Sequence, residues 1–202
     1  IPDLFLPIKN MKILIACEFS GIVRDAFKAK GHDAWSCDLL PTEIPGQHIQ
    51  DDVLKHLDDG WDMMIAHPPC TYISNAGAVQ LYPKKILNEE RYKKGMIAVK
   101  FFMNLYNANI PKIAIENPTP SKVFGLPIYS QVIQPYEHGH PYKKRTCLWL
   151  KNLQKIIPTN IMEERQSTKI PGNWYNHGGK ARQQNRARTF LGIANAMAEQ
   201  WG

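Results

Sequence analysis

Short apolar runs alternate with helical periodicities along this chain. Lys12-Ile13-Leu14-Ile15-Ala16-Cys17 is continuous in apolar residues after its lysine, the pattern of a strand buried on both faces of a parallel sheet. Ile22 to Lys30 places Ile22, Val23, Ala26 and Phe27 on one helical face, with Gly31 as its stop. Ala34 to Cys37 predicts a second strand that ends at Asp38. Asp62-Met63-Met64-Ile65-Ala66 predicts a third, and Pro68 and Pro69 end it because neither can donate to a ladder. Tyr92, Met96, Val99, Phe102, Met103 and Tyr106 recur at helical spacing, predicting a helix over Asn88 to Asn107 whose Met and aromatic stripe is core. Lys112 to Ile115 predicts another buried strand, followed by Glu116-Asn117-Pro118. Further on, a short strand is expected near Ile128 to Gln134, and another over Tyr142 to Leu150, entered through Lys143, Lys144 and Arg145. Lys151 to Arg188 has no clear period, and Phe190 to Trp201 reads as a closing amphipathic helix. Strands alternating with helices predict an α/β fold, a doubly wound and mostly parallel sheet.

A chain of 202 residues suits one domain with a sizeable core, here residues 11–202, with residues 1–10 read as a leader of no functional role. No apolar run reaches bilayer-spanning length, so no membrane partner is expected. The formal charge of +7, from 25 basic and 18 acidic side chains, favours a polyanionic partner. Much of it falls in Lys151 to Arg188, where Lys180, Arg182, Arg186 and Arg188 follow Trp174 and Tyr175. Basic residues interleaved with aromatics suit nucleic acid, and equally a solvated face. Cys17, Cys37, Cys70 and Cys147 form no Cys-x-x-Cys pair, which fits a reducing, cytoplasmic setting rather than a zinc or disulfide scaffold.

Three places carry candidate chemistry. Glu18-Phe19-Ser20-Gly21 is a turn between strand and helix, offering helix amides and a glycine that lets a ligand approach; Asp38 ends the next strand and could hold a ribose. Asp51 is expected to cap a short helix, with Asp52 free to face the cleft. Cys70 follows two prolines at a strand's carboxyl end, under the loop Thr71-Tyr72-Ile73-Ser74-Asn75-Ala76-Gly77, and reads equally as a nucleophile or a half-buried thiol. Glu116 ends a neighbouring strand. In a parallel sheet it emerges on the same edge as Cys70, where burial would raise its pKa and let it donate a proton. Arg145 is placed to orient a planar group, or simply to solvate the start of its strand. His138 and His140 read as loop residues with no third metal ligand, so no metal is expected.

In their order, these motifs resemble the DNA cytosine-5 methyltransferase family. The similarity runs through Glu18-Phe19-Ser20-Gly21, Asp38, Asp52, the proline-cysteine loop Pro69 to Gly77, Glu116-Asn117-Pro118, Lys143 with Arg145, and Ala194-Asn195-Ala196. The resemblance implies a Rossmann-like fold that binds S-adenosyl-L-methionine through Phe19, Ser20 and Gly21, with Asp38, Asp52, Pro69 and Asn195. It implies Cys70 as nucleophile, Glu116 as proton donor to the base and Arg145 as the residue positioning it. The family's glutamine after the cysteine is Thr71 here, its second turn glycine is missing, and its glycine before Asn195 is Ala194. Its large recognition domain is represented only by residues 151–189. Cytosine in DNA is the implied substrate. The same chemistry on RNA, single strands or cytidine nucleotides stays open, as does a non-catalytic cofactor- and nucleic-acid-binding protein. A thiol hydrolase would need His67 as the base for Cys70.

Overall fold

The computed structural model describes residues 10–168 and 184–202. Its main sheet contains β1 (Lys12–Ala16), β2 (Asp33–Cys37), β3 (His48–Ile49), β4 (Met63–Ala66), β5 (Lys112–Pro118), β6 (Gln131–Ile133) and β8 (Thr146–Lys151), while β7 (Tyr142–Lys143) and β9 (Gln166–Ser167) form a separate parallel pair. The order across the sheet is β3-β2-β1-β4-β5-β8-β6. Strands β1 to β5 are parallel, and β8 runs antiparallel between β5 and β6.

Side-chain alternation divides the core in two. Ile13, Ile15, Met63, Ile65, Ala114 and Leu148 face one side, where α1 (Ile22–Lys28) packs beside the last helix, α4 (Leu191–Trp201), through Val23, Phe27, Ile193 and Met197. Leu14, Met64, Ala66, Ile113, Ile115 and Trp149 face the other, under Phe102 and Leu105 of α3 (Glu89–Tyr106). Helices thus cover both faces of a mostly parallel sheet, as the periodicities predicted and as a Rossmann-like fold requires.

Four local expectations are corrected. Met96 is exposed, because the bare backbone of Gly95 lets the Phe124 ring lie against α3 and turns Met96 away. β5 continues through Glu116-Asn117-Pro118, since β8 pairs along its far side with Glu116 opposite Leu148. The strand expected over Tyr142 to Leu150 is broken at Lys144-Arg145, where the chain leaves the β7–β9 ribbon for the main sheet. The cap of the 3₁₀ turn at Val53–Lys55 is Asp52, whose carboxylate accepts from the Leu54 amide. Asp51 instead binds Lys55, which with the Asp52 amide and His56 holds its carboxyl down at about 2.

Candidate active site

The carboxyl ends of β1 and β4 mark the point where the chain's winding reverses, where open α/β sheets leave a crevice. The turn after β1 is occupied from within. Glu18 is buried, and its carboxylate accepts from the Val23 amide at 2.7 Å, the Arg24 amide at 3.2 Å and the Ser20 hydroxyl at 3.1 Å. The amides expected to serve a ligand are therefore already used by the chain's own anion. Burial raises the Glu18 carboxyl above its ordinary 4.5, and His67 with the two amides offsets this only in part.

Gly21 has φ +77°, but its missing side chain does not make room for a ligand: a Cβ there would lie 2.6 Å from the Arg24 guanidinium. That guanidinium is fully buried. It donates to Ser36, Thr42 and the Ile44 carbonyl and pairs with Asp25, clasping the loop after β2 against α1. Phe19 is buried with the guanidinium of Arg188 above its ring, and Ser20 is spent on Glu18. Asp38 and Asp52 are half-buried, and each leaves one carboxylate oxygen beyond its local bond to Leu40 or Leu54. Both reach the end of β1. Burial first, and then the charges of Asp38 and Asp52 among others, push the Cys17 thiol far above its ordinary range.

Cys70 is half-buried on a pinned loop. Asn117 donates to the Pro68 carbonyl at 2.9 Å, the Ser74 amide donates to the Cys70 carbonyl at 3.0 Å, and Arg91 of α3 donates to the carbonyls of Thr71 and Gly77. Glu116 and Cys70 come out on the same edge, because β4 and β5 are parallel neighbours, and the charge of Glu116 reaches the thiol. Burial first and Glu116 second raise the thiol, and Lys144 and Arg186 do not offset them. The thiol therefore rests protonated rather than ionised at neutral pH. Glu116 also departs from expectation. Burial pushes its carboxyl up, but a hydrogen bond with His67 Nδ1 at 3.1 Å and the charge of Lys144 win, and it lies below its ordinary 4.5.

Sequence reasoning missed the actual role of His67 and the presence of Lys144. As the chain approaches β8, side chains alternate faces. Arg145 goes with Cys147 toward Thr119 and Tyr129, binding their hydroxyls at 3.1 Å, while Lys144 acts on Cys70 and Glu116. Arg145 is exposed, and the hydrogen-bond partners of its guanidinium are the Thr119 and Tyr129 hydroxyls. The partner of His67 Nδ1 is Glu116, and Nε2 makes no hydrogen bond to Cys70 or to any other group among the described residues. The signal for Lys144 lay in its parity with Thr146 in the strand pattern.

Pro69 and Asn195 are exposed, and Asn195 makes no hydrogen bond to the turn at 18–21 among the described residues. Arg186 lies near Cys70, its carbonyl holding Lys144 at 2.9 Å. Arg188, expected on an open basic face, forms a two-pronged pair with Glu43 at 2.8 and 2.5 Å. Lys180 and Arg182 lie outside the described residues. His138 and His140 serve the fold, bonding Thr159 and the Gly192 amide, and the described residues contain no metal-binding cluster. No helix among them is long and apolar enough to cross a membrane. No family model matches this chain, and no curated protein matches it.

Proposed function

We propose that this protein transfers a methyl group from S-adenosyl-L-methionine to carbon 5 of cytosine in DNA, with Cys70 as nucleophile. The observation that carries the reading is the meeting of Cys70, Glu116 and Lys144 at one sheet edge, beside a turn whose helix terminus is filled by Glu18. The turn fits this cofactor in particular. A pyrophosphate would meet the Glu18 carboxylate where a dinucleotide fold offers amides. A nucleoside with a positive sulfonium and no phosphate suits that charge, with Asp38 for its ribose hydroxyls and Asp52 for its adenine amino group.

When bound, S-adenosyl-L-methionine supplies a methyl group activated by its sulfonium. The protein's own residues must make carbon 5 nucleophilic. Cys70 adds to carbon 6, the ring becomes enamine-like, and the adjacent ring nitrogen takes up a proton. Cys70 and Glu116 rest in protonation states opposite to those their roles need. One transfer corrects both: the thiol proton passes to Glu116 and on to the ring nitrogen as the carbon–sulfur bond forms. After methylation, water takes the carbon 5 proton as the carbon 6–sulfur bond breaks, and the ring nitrogen's proton returns through Glu116 to the departing Cys70 thiolate. Lys144 offsets negative charge throughout. A base within a duplex must leave the stack to reach this site, and basic residues such as Arg186 would meet the backbone.

The test uses isotopically labelled S-adenosyl-L-methionine with wild type and Cys70→Ser, on duplex DNA, single strands, RNA and cytidine nucleotides. Methyl at cytosine carbon 5 of DNA, absent with Cys70→Ser, is the expected result. Transfer confined to RNA or nucleotides would reassign the substrate. Cofactor binding without transfer to any of them would refute the enzyme reading and favour a binding protein.

A further inference from the structure

His67 has no part in the chemistry above, yet its buried ring is bonded to one of the residues that carries it. Its amide donates to the Ala16 carbonyl at 2.9 Å, and Asn117 fixes the next residue's carbonyl. Its side chain is 7% exposed. Nδ1 lies 3.1 Å from Glu116 Oε2, while Nε2 is buried with no partner among the described residues. The ring also lies close enough to Glu18 to favour that residue's charged form. Two carboxylates from separate elements, one at the cofactor turn and one at the base site, thus face one imidazole. A ring needed only for packing would be better served by an apolar side chain, because an orphaned buried nitrogen is costly.

We propose that His67 is a positioning residue of this site, holding the Glu116 carboxylate by one edge of its ring and standing against Glu18 with the rest, so that the base pocket and the cofactor turn are coupled. The kinetic consequence rests on the methyl-transfer reading; the contact with Glu116 does not. Burial pushes the Glu116 carboxyl toward the protonated form, which cannot take the thiol proton. His67 and Lys144 keep it receptive. The charged and titratable groups facing this pair are Glu18 after β1, Cys70 on its loop and Lys144 before β8.

The test follows the Glu116 carboxyl by carbon-13 NMR in wild type, His67→Ala and His67→Asn, with Glu116→Gln identifying the signal. Its titration is expected below 4.5 in wild type and higher than wild type in His67→Ala, with Glu18 moving upward as well. His67→Asn, whose amide can replace Nδ1, restores part of the shift. Methyl transfer is expected to lose about 10- to 100-fold in kcat in His67→Ala, with KM changed by less than about threefold, and to recover partly in His67→Asn. An unmoved Glu116 titration overturns the proposal, as does an unchanged kcat. Should His67→Ala not fold, the titration and kcat of His67→Asn against wild type decide the same question. If wild type itself transfers no methyl group, the methyl-transfer reading fails, and the Glu116 titration alone decides the role of His67.

Discussion

Glu18 offers the sharpest test of how this site is built, because two substitutions there separate its hydrogen bonds from its charge. Glu18→Ala removes the acceptor for the Val23 and Arg24 amides, both on fully buried residues of the first turn of α1. Each orphaned donor costs about 1–3 kcal/mol. Relief of the buried charge returns some of this, for a net loss of about 2–4 kcal/mol. With a urea slope of about 2 kcal/mol/M, the unfolding midpoint should fall by about 1–2 M. Glu18→Gln removes the charge and keeps an acceptor for the Val23 amide, but leaves the Arg24 amide facing an NH2 donor. The wild-type carboxyl lies above 4.5 in the fold, so its contribution is complete below that unfolded value and is lost as pH rises through the folded one. The glutamine variant, neutral throughout, should be weaker than wild type at about pH 4 by about the 1–3 kcal/mol of the Arg24 amide it leaves unpaired, and should close that gap at about pH 8, where wild type has lost the contribution of its neutral carboxyl. Urea titrations at the two pH values provide the measurement. A glutamine variant whose deficit against wild type is larger at the higher pH than at the lower, or an alanine variant within about 0.5 kcal/mol of wild type, would refute the reasoning. A charge kept at a cost in stability is what a functional role predicts.

The thiol provides a second test. Alkylation of Cys70 at about pH 8, followed by peptide mass spectrometry, should quicken several-fold in Glu116→Gln, slow in Lys144→Met and stay unchanged in Arg145→Met; equal slowing in the last two would place the acting charge wrongly. Arg24→Met strips the clasp from Ser36, Thr42 and the Ile44 carbonyl. It should cost about 3 kcal/mol, or about 6–12 °C in Tm by calorimetry. A fall of under about 2 °C would show that the buried guanidinium is not what holds the loop after β2.

The sequence by itself determined the elements and the edge. β1, β2 and β4 are apolar runs with polar or proline boundaries, and α1 forms on the expected face but stops at Lys28, short of the expected Lys30, because burial on one face or two leaves a local trace that needs no partner. The placement of Cys70 and Glu116 on one edge followed from parallel pairing, which sets the direction of every strand. Tertiary structure decided what these residues face. That β8 would insert antiparallel beside β5, lengthening it through Pro118, depends on a pairing between segments some thirty residues apart. That Lys144 rather than Arg145 meets the thiol depends on where the strand breaks. His67 finds Glu116 across forty-nine positions, and Gly21 answers to Arg24 rather than to a ligand. Most of all, the protonation states of Cys70, Glu116 and Glu18 were out of reach, since each is the difference between a burial cost and the charges of neighbours, most of them distant in sequence. Periodicity records which residues are buried; it does not record which charges are buried together.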